Sequence, residues 1–244
     1  MTVAFCCHSE LQKATVESRK ETETPRRHGK WYNDACGTAF ALELIGERWS
    51  LLIVRELMFG GRRFSDLRAA LPGISAKVLA ERLDGLEQAG IVQRRRLPPP
   101  AASQIYELTP WGYDAEEAIQ ALGRWAAASA DHDPTLPLSA ASLMVSFRTM
   151  FDPKRAKALA CTATIWVGEE SFRLRVAKGH LSIRRGEAKA PDFTIAAPVA
   201  APIAALVYVK VPAAELAAAG LSLDGDLAVA ARFVDLFHLP ARAA

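Results

Sequence analysis

Ten basic side chains crowd the stretch 48–96: Arg48, Arg55, Arg62, Arg63, Arg68, Lys77, Arg82, Arg94, Arg95 and Arg96. Only five acids, Glu56, Asp66, Glu81, Asp84 and Glu87, share it. The chemistry open to such a cluster is neutralisation of phosphate, the electrostatic footprint of a nucleic-acid surface. The whole chain carries a net charge of only +3, so the positive charge is local. By itself the excess fits a solvated face equally well. Other chemistry is poorly supported. Cys6, Cys7, Cys36 and Cys161 show no C-x-x-C spacing and no neighbouring histidine pair, which argues against a zinc site or a disulfide framework. The histidines His8, His28, His132, His180 and His238 are scattered, and no phosphate loop, H-E-x-x-H or G-x-S-x-G is found. Glu169-Glu170 and Asp224/Asp226 read as a turn and a helix cap. No catalytic residue, metal or cofactor is expected, and the chain does not read as an enzyme.

The elements that position the basic residues follow from apolar period and punctuation. Cys36 to Ile45 reads as a helix ended by Gly46, and a second helix from Trp49 to Phe59 has Trp49, Leu52, Ile53 and Leu57 on its buried stripe. Gly60-Gly61 stops it. A third helix, Ser65 to Leu71, is broken by Pro72-Gly73. Ser75 suits the N-cap of a fourth, in which Leu79, Leu83 and Leu86 recur at helical spacing before Gly90. That leaves Ser75, Ala76, Lys77, Ala80 and Glu81 facing outward, with Arg82 toward the nucleic-acid backbone. Ile91 to Leu97 and Gln104 to Leu108 read as strands around a proline-rich loop, a wing in which Arg94 and Arg96 share one face and Arg95 the other. Thr109-Pro110 opens a long helix to Ser129 with Ala115, Ala118, Leu122 and Trp125 on one face.

The second half changes period. A helix from Ser139 to Phe151 precedes four alternating runs: Cys161 to Val167, Phe172 to Val176, Leu181 to Ile183 and Phe193 to Ile195. Helices at 197–209 and 212–219 follow, then a short strand Leu221 to Leu223. Asp224 caps a last helix whose Leu227, Ala231, Val234 and Phe237 share a face. The fold class is therefore α+β: an N-terminal winged helix-turn-helix domain, then an α+β domain with a small, mostly antiparallel sheet covered by helices. The 244 residues divide as a disordered arm (1–30), the winged-helix domain (31–130), a linker (131–138) and the second domain (139–240). Residues 1–30 read equally well as sequence upstream of the true start codon. With no apolar run near the ~20 residues of a membrane span and no secretory leader, a cytoplasmic protein without a membrane partner is expected.

The segment from Cys36 to Trp49 with its Gly46-x-x-Trp49 junction, Arg62 to Leu67, Leu71-Pro72-Gly73-Ile74-Ser75, Leu79-x-x-Arg82-Leu83-x-x-Leu86 and Tyr106-x-Leu108-Thr109-Pro110-x-Gly112 occur in order. Together they resemble the HxlR-type winged-helix regulators over about 34–129. The resemblance implies a homodimer joined through the first and last helices of the domain, bound to a palindromic operator on double-stranded DNA, with repression as the expected sign of regulation. The expected DNA-binding residues are Arg62, Arg63, Ser75, Ala76, Lys77, Ala80, Arg82, Arg94, Arg95 and Arg96. Ala76 and Ala80 depart from the family's commonly polar recognition helix, which shifts the expectation toward phosphate contacts and DNA shape. The family often places a reactive cysteine where Cys36 stands, so Cys36 is the candidate redox sensor. A plain thiol is the alternative.

Val167 to Leu181, Pro191 to Ile195 and Leu221 to Asp226 resemble the sterol-carrier-protein type 2 fold over about 139–239. Such a domain implies an apolar small-molecule ligand, with Trp166, Phe172, Phe193, Leu206 and Phe233 as candidate pocket residues or as plain core. A second reading of the whole chain follows: a lipid-carrier or ligand-binding module whose winged helix serves in protein interaction.

Overall fold

The computed structural model describes residues 32–99 and 103–243. The expected arm at 1–30, with Cys6, Cys7, His8 and His28, lies outside the described residues, as does the wing tip at 100–102. The described residues divide into two units between Glu43 and Leu44. In the first, the Asp34 carboxylate accepts the Cys36 N–H at 2.9 Å just ahead of α1 (Gly37–Ile45), which carries no buried residue.

The second unit begins with three helices. α2 (Ser50–Leu57) buries Ile53, Val54 and Leu57, and with them Glu56; Leu52, expected inside, is exposed, and Trp49 is only half-buried. The stripe is rotated so that Glu56 lies inside, where it is met by Arg55, Arg62 and the Ser139 hydroxyl. α3 (Phe64–Ala70) is entered by the Asp66 carboxylate accepting the Arg63 N–H at 3.2 Å, so Phe64 is already helical. Gly73, at φ +92°, makes the turn that an L side chain resists. α4 (Ala76–Gln88) starts where Ser75 Oγ accepts the Val78 N–H at 3.2 Å, and its Leu79, Leu83 and Leu86 are buried as their spacing requires. Each such leucine stabilises the fold by about 1.5–3 kcal/mol.

Strands β1 (Val92–Arg96) and β2 (Gln104–Leu108) pair antiparallel with Arg94 opposite Tyr106. A third rung is added by Arg62, whose backbone exchanges two 2.8 Å hydrogen bonds with Tyr106. Thr109 caps α5 (Pro110–Asp114) by accepting the Gly112 N–H at 3.0 Å, while its own N–H donates to Ile91 O at 3.0 Å. Glycine is required at 112, since a Cβ there would lie 2.2 Å from Ile91 O. The expected single helix is two: α5 closes at Ala115 and α6 (Glu116–Ala127) begins there. The face shared by Leu122 and Trp125 does not pack into the core of its own chain. Ile119 is inside, whereas Leu122 and Trp125 are exposed, Trp125 at 77 %.

Segment 131–138 runs without helix or strand into α7 (Ala140–Met150), capped by Ser139 Oγ on the Ser142 N–H at 3.0 Å. A five-stranded sheet follows in the order β5 (His180–Arg185), β4 (Glu170–Ala177), β3 (Cys161–Val167), β6 (Phe193–Ala197), β7 (Ser222–Gly225). Only β3 and β6 are parallel. Between β6 and β7 lie α8 (Ala200–Ala204), a π-helical turn Ala205–Val209 and the short α9 (Ala213–Leu216); α10 (Leu227–Val234) closes the layer. Asp226, not Asp224, caps α10, accepting the Ala228 and Val229 N–H groups at 2.9 and 3.0 Å, because Asp224 is committed to β7. The buried face of α10 is Ala230, Phe233 and Val234 rather than the Leu227 and Ala231 series; Leu227 is exposed. Phe237 lies past the helix, where it bridges to Phe151 and stacks on Phe147 at 4.8 Å.

Helix and sheet residues of both halves of Leu44–Ala244 share one continuous apolar core. Phe59 of the winged helix meets Phe172 of β4 edge-on at 5.6 Å, and the Arg148 guanidinium of α7 lies 4.5 Å over the Phe59 ring. Edge-to-face aromatic contacts of this kind contribute about 0.5–1.5 kcal/mol beyond area burial.

Candidate nucleic-acid interface

Because three leucines tie the inner face of α4 to the core, its N-terminal end is presented outward. Ser75, Ala76 and Lys77 are exposed and Ala80 half-exposed. Lys77 is 86 % exposed, its ammonium 3.9 Å from Glu81 one turn on, an i,i+4 pair too open to restrain it. Alternation along β1 holds: Arg95 and Gln93 both reach Glu107 at 3.0 Å, on the face opposite Arg94. Arg94 turns toward α4, pairing with Asp84 and, at 2.9 Å, with Glu87 while covering the Tyr106 ring at 5.5 Å. Arg96 is exposed with no described partner. Arg63, on the approach to α3, donates to Ser103 Oγ at 3.1 Å beside the wing tip.

The ten expected residues therefore separate. Lys77, Arg96 and Arg63 present charge outward, with Ser75 and Ala76 beside them. Arg82 is committed inward to Arg48 O at 3.1 Å and Glu47 at 3.0 Å, which ties the recognition helix to the start of α2. Arg94 and Arg95 hold the wing base. Arg62 is corrected outright. Its side chain is 11 % exposed, donates to both oxygens of Glu170 at 3.0 and 3.2 Å and lies 3.8 Å from Glu56, so it faces the C-terminal sheet instead of solvent.

The residues that a reading by sequence missed are the acids that take Arg62 inward. Glu56, fully buried, accepts from Arg55 at 2.9 Å and from Ser139 Oγ at 2.6 Å, while its second oxygen has no hydrogen-bond partner among the described residues. Glu170, read as a turn residue, opens β4 and binds Arg62 and Arg185 together. Burial works to raise its pKa, but the hydrogen bonds and charges of Arg185 and Arg62 outweigh that and hold it below the usual carboxylate range. A signal was present for Glu56: it stands between Ile53 and Leu57 at core spacing.

The candidate apolar pocket is also corrected. Phe172 pairs with Ile165, and Phe193 with Ala163, on one face of the sheet, whereas Trp166 points to the other, so these aromatics cannot line one cavity. Phe193 and Phe233 pack at 5.2 Å, and with Phe172 they are essentially fully buried; Leu206 is buried as well.

Cys36 is exposed before α1, and hydrogen bonds from the Thr38 and Ala39 backbones lower its pKa. Cys161 is buried in β3, and burial, with Asp192 nearby, pushes its thiol up to about 11.

The HxlR-like helix-turn-helix family model matches residues 44–134. The HTH-type transcriptional regulator YodB of Bacillus subtilis (strain 168) is 43% identical over 86 residues, covering 35% of this chain and 77% of that protein. The HTH-type regulator YtfH of Escherichia coli (strain K12) is 36% identical over 99 residues, 41% of this chain and 79% of its own. Among solved structures, the reduced form of YodB is 38% identical and covers 41% of this chain and 100% of that one, with a TM-score of 0.37. The family model stops at 134, short of α7 and the five-stranded sheet. On the family match and these sequence identities, and on the helix-helix-turn-helix-wing that the structure builds from the same residues, the chain belongs to the HxlR-like helix-turn-helix family of transcriptional regulators.

Proposed function

We propose that the chain is a sequence-specific DNA-binding transcriptional regulator that acts as a homodimer on a palindromic operator and represses the genes beside it. The observation that carries the reading is the outward N-terminal end of α4, with Lys77 free to reach outward, beside a wing whose Arg96 is unpaired among the described residues. In a major groove this end would present Ser75, Ala76 and Lys77 to base edges and phosphates, while the wing supplies Arg96 to the adjoining backbone. Ala76 and Ala80 offer methyl groups and no hydrogen bonds, so phosphate contact and DNA shape supply an unusually large share of binding. Exposed Leu122 and Trp125 on α6, and Leu42 on α1, support dimerisation through these two helices. Cys36 is the candidate thiol switch, and its lowered pKa favours the reactive thiolate. The C-terminal layer, with sheet order β5-β4-β3-β6-β7 under helices, supports a sterol-carrier-like domain.

Fluorescence anisotropy against DNA from the upstream region of its own gene, at two salt concentrations and against scrambled competitor, tests the reading. Saturable, competitor-resistant binding that weakens steeply with salt is expected. Binding indifferent to sequence there and at neighbouring promoters would favour a carrier module instead.

A further inference from the structure

A groove of about 380 Å³ opens where the helix-turn-helix meets the entry to the C-terminal layer. Its walls come from three places: Trp49 at the head of α2 with Leu52 and Arg55 along it, Leu71 and Pro72 at the turn before α4, and Leu138 with Ser139 ahead of α7. The walls are largely apolar and include one aromatic face. Arg55 is the only charged residue among those lining the groove. Its Nε and Nη2 are spent on a single oxygen of Glu56, which leaves Nη1 of a partly exposed guanidinium. The ion cluster behind it is unbalanced as well. Among the described residues, Arg55, Arg62 and Arg185 pair only with Glu56 and Glu170, three positive charges against two negative. Trp49, one of the lining residues, is held at φ +81°, a backbone conformation that a bulky side chain keeps only where its surroundings demand it.

We propose that this groove binds a small amphipathic carboxylate, its flat apolar body between Trp49, Leu52 and Leu138 and its carboxylate on Arg55. The volume falls in the range of small-molecule sites, and an apolar lining with one convergent charge is their usual composition. An arginine edge favours carboxylate over a neutral polar head because its hydrogen bonds are then charge-assisted. The site differs from the sheet-and-helix pocket expected from the sequence, whose aromatics are packed into the core. Since its walls include the turn that leads into α4, a ligand that prefers one setting of that turn shifts the population competent for DNA. That consequence rests on the DNA-binding reading; the site itself does not.

Isothermal titration calorimetry of the full chain without DNA, using 2-naphthoate and its neutral isostere 2-naphthamide as probes, tests the site directly. One naphthoate per chain is expected, with the amide at least tenfold weaker. Leu52→Trp, a substitution on the exposed rim, should abolish binding of both, and Arg55→Gln should remove the preference for the acid; thermal melts establish that each variant is folded. Absence of saturable naphthoate binding, equal binding of acid and amide, or wild-type binding by folded Leu52→Trp overturns the proposal. If Arg55→Gln does not fold, the isostere comparison and Leu52→Trp still decide it. Because no DNA is present, failure of the site and failure of the DNA-binding reading are separated: operator binding measured by anisotropy can persist when calorimetry is blank, and the reverse.

Discussion

Replacing Arg62 by alanine separates two roles that its sequence position confuses. If Arg62 met DNA, Arg62→Ala would weaken operator binding and leave stability unchanged. The structure instead places its guanidinium between Glu56, fully buried, and Glu170. Removing one partner from a buried charge pair costs about 3–5 kcal/mol when nothing else compensates the charge left behind. Here Arg55 and Ser139 still attend Glu56, and Arg185 still attends Glu170, so the lower end, about 3 kcal/mol, is expected. With a urea m-value of about 2–3 kcal/mol/M, the unfolding midpoint should fall by roughly 1 M or more at fixed protein concentration. The pH dependence gives an independent check on the sign. A carboxylate whose pKa is depressed by folding contributes stability above its unfolded value and loses it as pH falls through the folded one. Glu170 is such a group, and Arg62 is one of the causes of its depression. The gap between wild type and variant should therefore narrow below the ordinary carboxylate range near 4.5. Glu170→Ala should be non-additive with Arg62→Ala, since the two residues share one interaction. An unchanged urea midpoint at neutral pH, combined with a loss of DNA affinity, would refute the assignment.

Other consequences can be checked separately. Lys77→Ala combined with Arg96→Ala should lower the slope of log affinity against log salt by about 2, at roughly 0.9 for each phosphate no longer neutralised, with the thermal midpoint unmoved; an unchanged slope would remove these two from the interface. Gly112→Ala drives a Cβ to 2.2 Å from Ile91 O, so the first turn of α5 must part from the backbone just ahead of β1. A loss of about 3 kcal/mol is expected in denaturant melts, at the upper end of overpacking costs because the obstacle is backbone. On the proposed homodimer, Trp125→Ser should shift the wild-type dimer toward monomer in sedimentation equilibrium while far-UV circular dichroism is retained, given that Trp125 is exposed on α6; a variant as dimeric as the wild type argues against that helix as the interface. Iodoacetamide labelling at pH 7 followed by mass spectrometry should modify Cys36 well before Cys161, whose pKa of about 11 leaves a thiolate fraction of about 10⁻⁴ at that pH. Equal rates would contradict the contrast between the two thiols.

Much of the winged helix is legible in the chain because its determinants are local. Ser75 caps the next helical turn, Leu79, Leu83 and Leu86 repeat at the helical period, and Thr109-Pro110 is a strong helix-opening pair. These features depend on neighbours a few residues away, and so they appear at the expected places. The four strands of the second half are read for the same reason, from alternation that marks a half-buried face.

What the tertiary structure decided are the facts that need two distant segments. An apolar stripe shows that a helix has a buried side, but it does not say whether that side meets its own fold or another surface: Leu122 and Trp125 repeat correctly and are exposed, while Ile119 goes inside. Two aspartates two residues apart are equal candidates for a cap until Asp224 is claimed by pairing with β6, leaving Asp226. Trp166 carries the hydrophobicity of a pocket residue, yet its odd register relative to Ile165 turns it to the opposite face of the sheet. The charges were the least legible. An arginine is drawn to DNA or to a carboxylate by the same interaction, and only its depth and partners choose between them. Glu170 lies 108 residues after Arg62, and that separation hides a pairing that makes Arg62 part of the core and leaves Lys77 and Arg96 to face outward.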